Sequence, residues 1–461
     1  MKIKDIIFGC ILGAISVFSP ASFLVLGAFL LSLWLIKKYI RTESQKFLIA
    51  IFITGFILRV ILSSFNYYAA ESAGIGSDIQ PDARVYNTNA FYIASVITGN
   101  KYDQAMDRDA ILKKGMEVAG AIHRGKLPPV GTYQIGFYVY LIGWIYSLLG
   151  YCPIAMKIMN SVFGCGTAIL TYLIARRISG SEIISKASAA VVMFFPSMVL
   201  WSAALLRDTI ANFLFLAYML SLLVYIGSGS RRSLVMSLMS TIVLSLFKEK
   251  AVLILAAGFV FVLIAGLFRR ILNRKHLTVF VALFFIFTVT AGIFLSNKNF
   301  ITRQLHDKTI SMFTQHQSYA ADDRAFVYRI FKDSIYEKGK LQLSDFSDAS
   351  LYFSVFKALA YFFLSPFPWQ VPYYHLGLLM FYPQVLATFI SLPFIMLGLL
   401  MSMRRNMYVT AIIVMVLALI AVPYALAEGV VGIVVRHRDM FMPFLVIFAS
   451  YGFFRPKAGV E

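Results

Sequence analysis

The sequence predicts an all-α, polytopic integral membrane protein of about 12–13 transmembrane helices. Three observations carry that prediction. Of 461 residues, 59% are hydrophobic and only 14% charged, with a mean hydropathy of +0.77. Apolar runs of roughly 18 residues, long enough to cross a hydrocarbon core, recur along the whole chain. The lysines and arginines collect in short loops between those runs. A β-barrel is excluded, because barrel strands alternate over about ten residues whereas these runs are continuous.

In chain order the apolar segments are 5–18, 20–36, 46–68, 131–149, 153–175, 187–206, 209–227, 233–247, 251–268, 277–296, 377–402, 407–426 and 439–454. The first, within "MKIKDIIFGCILGAISVFSP", resembles a signal sequence but is followed by no small-residue cleavage site before a soluble domain, so we expect a retained helix. The basic loops 37–46, 230–232, 269–276, 404–405 and 455–457 are expected on the cytoplasmic side. That choice places 69–130 and 297–350 outside, together with "KEK" at 248–250 and the turn at 427–439. Strict alternation fails between 131 and 206, since it would put Arg176, Arg177 and Lys186 outside and Asp208 inside; one segment there is expected not to cross fully. We find no internal repeat, so the expectation is one transmembrane domain over 1–461, with 69–130 as first external loop and 297–376 as second external segment.

Within the first loop, "RVYNTNAFYIASVI" (84–97) places apolar residues at helical spacing, which predicts an amphipathic surface helix; 111–126 is a second candidate. In the second segment an aromatic helix at 350–364 should stop at "SPFPWQVP" (365–372), whose prolines break it and whose Trp369 suits a membrane interface. The stretch "FGCGT" at 163–167 predicts close helix packing.

The formal charge of +20 is explained by loop topology, not by nucleic acid, although a lipid phosphate would draw on a few of the cations. Cys10, Cys152 and Cys165 lie in or beside apolar runs without metal-ligand spacing, so neither a disulfide nor a zinc site is expected. Walker, GxGxxG, HExxH and Ser–His–Asp patterns are absent.

Four clusters could carry chemistry. In "SDIQPDARVY", Asp82 follows Pro81 at the start of the surface helix; it is either a cap or a general base where the chain leaves the bilayer, with Asp78 as the second candidate. Arg207 and Asp208 interrupt two apolar runs, where charge is costly unless paired or interfacial; as a site, Arg207 would meet phosphate and Asp208 an acceptor or metal. Lys248, Glu249 and Lys250 form a turn predicted outside, against the positive-inside bias. Arg436, His437 and Arg438 stand with Asp439 just before the last apolar segment, either as an interfacial anchor or as a phosphate cradle.

Taken together, 131–208 ("GTYQIGFYVYLIGWIYSLLG…MKIMN…ARRISG…PSMVLWSAALLRD") and "VVRHRDMFMPFLVIFASYG" resemble membrane glycosyltransferases with the GT-C fold, in the protein O-mannosyltransferase-like family 39 group. The resemblance covers 46–270 and 365–455 as many weak positions. It implies a GT-C-like architecture in the bacterial cytoplasmic (inner) membrane and a sugar donor carried on polyprenyl phosphate. The acceptor would be a glycan, lipid or protein, and the product a cell-surface polysaccharide or glycolipid. It further implies Asp82 as catalytic base with Tyr86 beside it, Asp208 as the second functional aspartate, and Arg436 and Arg438 on the lipid phosphate. No cofactor is certain; the resemblance admits a divalent cation.

Two other functions fit the same features. An O-antigen-type polymerase or ligase would use a diphosphate-linked glycan and place its cations at Arg303, Arg324 and Arg329. A lipid-linked sugar transporter would show inverted repeats and broken helices, neither of which is evident in the sequence.

Overall fold

The computed structural model describes residues 20–40, 44–99, 136–248, 328–330, 349–370 and 382–455. Every extended element among them is a helix. The order is α1 (Ala21–Tyr39), α2 (Gln45–Ser72), α3 (Pro81–Ile97), α4 (Phe137–Leu149), α5 (Pro153–Ser179), α6 (Glu182–Phe194), α7 (Pro196–Ser202), α8 (Arg207–Ser228) and α9 (Arg231–Phe247). After these come α10 (Ala349–Leu364), a 3-10 turn (Pro368–Gln370), α11 (Tyr382–Arg405), α12 (Met407–Ala427), α13 (Val431–Arg438) and α14 (Met442–Phe454). Six of the described helices, α1, α2, α5, α8, α11 and α12, are long and apolar enough to cross a membrane, and α6 with α7 makes a seventh if the bent pair is one span. The protein is therefore a helical, multi-pass membrane protein. The predicted segments 5–18, 251–268 and 277–296 and the second surface helix at 111–126 lie outside the described residues.

Local chemistry sets the helix ends. Pro81 opens α3 at a position whose N–H has no helical partner, after an extended Gln80. Gly180 (φ 64°) closes α5 behind Arg176 and Arg177. Asn406 caps α12 by accepting from the Val409 N–H at 3.3 Å. The helix predicted over 84–97 is α3, three residues longer at its start than the apolar spacing indicated, because Pro81 and Asp82 are good first-turn residues. The aromatic helix α10 ends where the prolines begin.

Between 131 and 206, two elements depart from a simple span. With 13 residues, α4 is about 20 Å long at 1.5 Å per residue, short of a ~30 Å core. The 187–206 run is bent by 54° between α6 and α7, where Pro196 supplies no N–H to the preceding turn. The topological conflict in the sequence falls on these two elements.

The chain divides into two compact units. The first comprises Met1–Leu173, Lys186–Ala217 and Ile242–Glu249; the second comprises Ile174–Ser185, Tyr218–Thr241 and Lys250–Glu461. In the first, Phe29 of α1 packs on Phe52 and Phe56 of α2 at ring distances of 5.8 and 4.6 Å. Helix α3 lies against α4 through Ala83, Ala90 and Ala94, and a Cβ on Gly143 would stand 2.7 Å from the Ile93 side chain. The FGCGT stretch does pack closely: a Cβ on Gly166 would meet Phe213 at 2.8 Å, and one on Gly164 would press on Ser202. In the second unit α11 and α14 cross with backbones touching, so that a Cβ on Gly398 would overlap the Phe448 carbonyl and one on Gly452 the Phe394 carbonyl. The Arg405 guanidinium donates to the Ser179 carbonyl, and Ser402 pairs with Thr410 at 2.7 Å.

Candidate functional site

The first unit buries more charge than its apolar sequence suggests. Asp78, whose side chain is 0% exposed, accepts on one oxygen from Asn66 Nδ2 (3.0 Å) and the Gln80 N–H (2.9 Å). On the other it meets Lys157 Nζ (3.1 Å) and the Leu205 N–H (3.3 Å). Lys157, equally buried, also donates to the Ser77 carbonyl at 2.6 Å. Asp78 is thereby tied to α2, to the start of α3, to α5 and to the segment after α7. The Gln80 contact, two residues on, is an Asx turn that sets where α3 begins.

Asp82 occupies the first turn of α3 and is half-buried. Four residues later, on the same helical face, Tyr86 is 1% exposed. The Tyr86 ring meets Tyr138 of α4 edge-on at 5.8 Å, and the Arg207 guanidinium lies over it at 6.0 Å. Asn87, one residue further, donates to Tyr151 and accepts from Tyr146, both at 2.7 Å, which locks the α3–α4 pair. Burial pushes the Tyr151 hydroxyl up to about 12, so it remains a neutral hydrogen-bonding group through the physiological range.

Arg207 and Asp208 open α8. Asp208 turns inward and pairs with Lys248 at 2.9 Å, with both side chains nearly buried. Arg207 goes the other way, into a narrow, shallow cleft lined by Tyr86, Gly136, Phe137, Tyr138, Leu246 and Phe247. It is the charged residue among the described residues lining that cleft, and no carboxylate among the described residues pairs with it. Phe247 closes the wall through ring contacts with Phe137 (5.4 Å) and Tyr138 (6.2 Å), and the adjacent Lys248–Asp208 pair fastens that wall to α8.

The structure therefore brings Tyr86, Arg207, Asp208 and Lys248 together, places Asp82 one helical turn from Tyr86, and gives Asp78 to the Lys157 pair. Glu249, Lys250, Arg303 and Arg324 lie outside the described residues. Arg329 is exposed, next to Tyr328, whose N–H donates to the Gly429 carbonyl at 3.1 Å.

In the second unit, His437 Nδ1 faces the Glu428 carboxylate at 3.4 Å, with the His437 ring 4.5 Å from that of Tyr424. Arg436 is half-buried on the same short helix, α13. Arg438 is 2% exposed, and its Nη1 donates to the carbonyls of Phe363 (2.9 Å) and Ser365 (2.6 Å). Those carbonyls sit at the end of α10, where no helical N–H follows. Burial pulls the Arg438 guanidinium down to about 10, against the pull of Asp439, and leaves it charged at neutral pH. Arg438 therefore caps a helix, a role its place in the "RHRD" run did not disclose.

Three residues that anchor the site lay in apolar runs and went unremarked as site residues: Lys157, Asn160 and Arg59. Their signal was available, since a charged or amide side chain within an apolar helix needs a partner. Arg59 is wholly buried, with Nε donating to Ser202 Oγ at 2.7 Å and Nη1 to the Gly55 carbonyl at 3.1 Å. Among the described residues no group of three or more His, Cys, Asp or Glu is gathered to hold a metal ion. Comparison of the chain with protein-family models, with curated proteins and with solved structures gives no match, so the functional argument rests on this geometry.

Proposed function

We propose that the protein is a GT-C-like membrane glycosyltransferase that moves a sugar from a polyprenyl-phosphate carrier to an acceptor at the outer face of the bacterial cytoplasmic membrane, in cell-surface polysaccharide or glycolipid synthesis. The observation that carries the reading is Arg207: a guanidinium over the ring of Tyr86, in an apolar and aromatic cleft, where Tyr86 is itself one helical turn from the half-buried Asp82. Lys157 and Lys248 are neutralised by Asp78 and Asp208, so Arg207 brings the positive charge to the described cleft. An anionic head joined to an apolar tail matches that combination of one cation and an oily wall.

In this reading Asp82 takes the proton from an acceptor hydroxyl or amine. The freed electron pair forms the new bond to the anomeric carbon. The bond from that carbon to the carrier phosphate breaks, its electron pair stays on the phosphate oxygen, and the anomeric centre is inverted. Arg207 stabilises the negative charge that grows there. The donor phosphate is assigned to Arg207 and not to Arg438, whose donors cap α10.

The bent pair α6–α7 favours a second reading, a transporter of lipid-linked sugars, since transporters place substrates at helix breaks. The break here is filled from within. Ser63 donates to the Ala203 carbonyl, Asn160 to those of Ala204 and Leu206, Ser161 to that of Ser202, and Asp78 accepts from the Leu205 N–H. The enzyme reading is therefore preferred.

Mass spectrometry of lipid-linked sugars in a deletion strain tests it. A polyprenyl-phosphate sugar should accumulate, wild-type protein should clear it, and Asp82→Asn, expressed and inserted at wild-type level, should not. Clearance by Asp82→Asn at the wild-type rate would sink the proposal.

A further inference from the structure

The segment Ala203–Leu206 joins α7 to α8 without helical structure, yet each of its residues is 2% exposed or less. A buried carbonyl left without a donor is costly, so side chains that serve this segment determine its path. Ser63 supplies one donor, to the Ala203 carbonyl at 3.1 Å; Ser161 serves the Ser202 carbonyl just before the segment at 3.2 Å, and Asp78 takes the Leu205 N–H. Asn160 does more. Its Nδ2 lies within donating distance of the Ala204 carbonyl (2.9 Å), the Leu206 carbonyl (2.9 Å) and the Tyr138 hydroxyl (3.0 Å), so its two hydrogens are shared among three acceptors.

The Leu206 carbonyl belongs to the peptide that leads directly into Arg207. Holding it fixes where α8 begins and which way the Arg207 side chain leaves the backbone. Tyr138 is a wall of the same cleft and meets Tyr86 edge-on, and Tyr86 is the ring on which Arg207 lies. The contacts close a circuit from Asn160 to Leu206 and Arg207, across to Tyr86, on to Tyr138 and back to Asn160.

We infer that Asn160 is the positioning residue of the cleft, holding the Arg207 guanidinium in register with the aromatic wall so that a prenyl-linked phosphate can be bound. This rests on the proposed role of Arg207. Asn160, 1% exposed, touches no ligand itself and acts only through the backbone and Tyr138.

A binding cycle on the purified full chain in detergent tests it, with farnesyl phosphate as probe and farnesol as the uncharged control. Arg207→Ala should weaken farnesyl phosphate binding about tenfold, the effect of losing one charge-assisted hydrogen bond. Asn160→Ala should weaken it by a similar factor and leave farnesol binding unchanged. The double variant should bind no worse than Arg207→Ala alone, because the amide acts through the arginine. An Asn160→Ala protein that binds like wild type, or a double variant whose losses multiply, overturns the inference. An Arg207→Ala protein that binds farnesyl phosphate like wild type overturns the phosphate reading, and with it the role of Asn160. Should Asn160→Ala fail to fold, Asn160→Ser keeps a polar side chain with one hydroxyl donor in place of the two amide hydrogens and carries the same cycle.

Discussion

Replacing Asp78 separates a structural aspartate from the proposed catalytic one, because Asp78 lies four residues from Asp82 and is the second candidate for the base on sequence alone. In Asp78→Asn, Lys157 loses its only described carboxylate partner, retaining the Ser77 carbonyl at 2.6 Å and the Tyr67 ring at 5.8 Å. The new amide cannot serve both sides of the old carboxylate. One orientation turns its NH₂ towards Lys157 and the Leu205 N–H, the other towards Asn66 and the Gln80 N–H. Asn66 cannot flip to help, since its Oδ1 already accepts from the Ile79 N–H at 2.8 Å. Leaving one partner of a buried ion pair uncompensated costs about 3–5 kcal/mol, so Asp78→Asn should cost about 4. Lys157→Met leaves a carboxylate that still has three N–H donors and should cost about 3 kcal/mol. The double variant, with no charge left to bury, should cost about 4–5 rather than the additive ~7, a coupling of about 2–3 kcal/mol. Equilibrium unfolding in mixed micelles, followed by tryptophan fluorescence, measures this. Trp201 ends α7 next to the very segment that Asp78 holds, so it is a local reporter. An Asp78→Asn protein that unfolds within ~1 kcal/mol of wild type, or a strictly additive double variant, would refute the strut role.

Three further perturbations concern the second unit and α1. Gly398→Val should destabilise by about 3 kcal/mol or more, at the high end of overpacking, because its Cβ meets the Phe448 carbonyl and a backbone cannot rotate aside. Gly27→Ala in α1 has nothing within 4 Å of its new methyl and should be neutral or slightly stabilising; thermal melts of both proteins in detergent check the pair. Arg438→Ala should lower stability by about 3 kcal/mol, since two buried carbonyls lose a charged donor, and should leave farnesyl phosphate binding intact in the fraction that folds. Loss of binding with unchanged stability would instead return Arg438 to the phosphate.

The helices were legible because a membrane-length apolar run is a local signal, as were the turns where Gly180 or the 365–372 prolines stand. The broken span α6–α7 was legible only as a conflict: loop charges on either side of 131–206 could not all satisfy one topology, and no residue pattern said where the crossing fails. Pro196 was the clue, since a proline inside a 20-residue run removes a helical N–H. The site was half legible. Arg207, Asp208 and Lys248 were identifiable as charged groups at the ends of apolar runs and Tyr86 only through the family resemblance, and the structure draws them together in the first unit. Lys157 and Asn160 stand out as polar groups within apolar runs, but their partners were hidden, being backbone groups and side chains 22–80 residues away.

Arg207 and Asp208 show why adjacency in sequence misleads about charge. Side by side at an apolar boundary, they suggest an ion pair, and an ion pair would leave nothing for a ligand. Successive residues on a helix, however, point about 100° apart and do not face one another. Asp208 therefore pairs with a lysine 40 positions away, and Arg207 is delivered to the cleft with its charge intact. Lys248, the residue that follows α9, acts on the cleft through this pair: bound to Asp208 and adjacent to Phe247, it fixes part of the wall against which an apolar tail would lie, so the shape of the cleft depends on a lysine that need never touch the ligand.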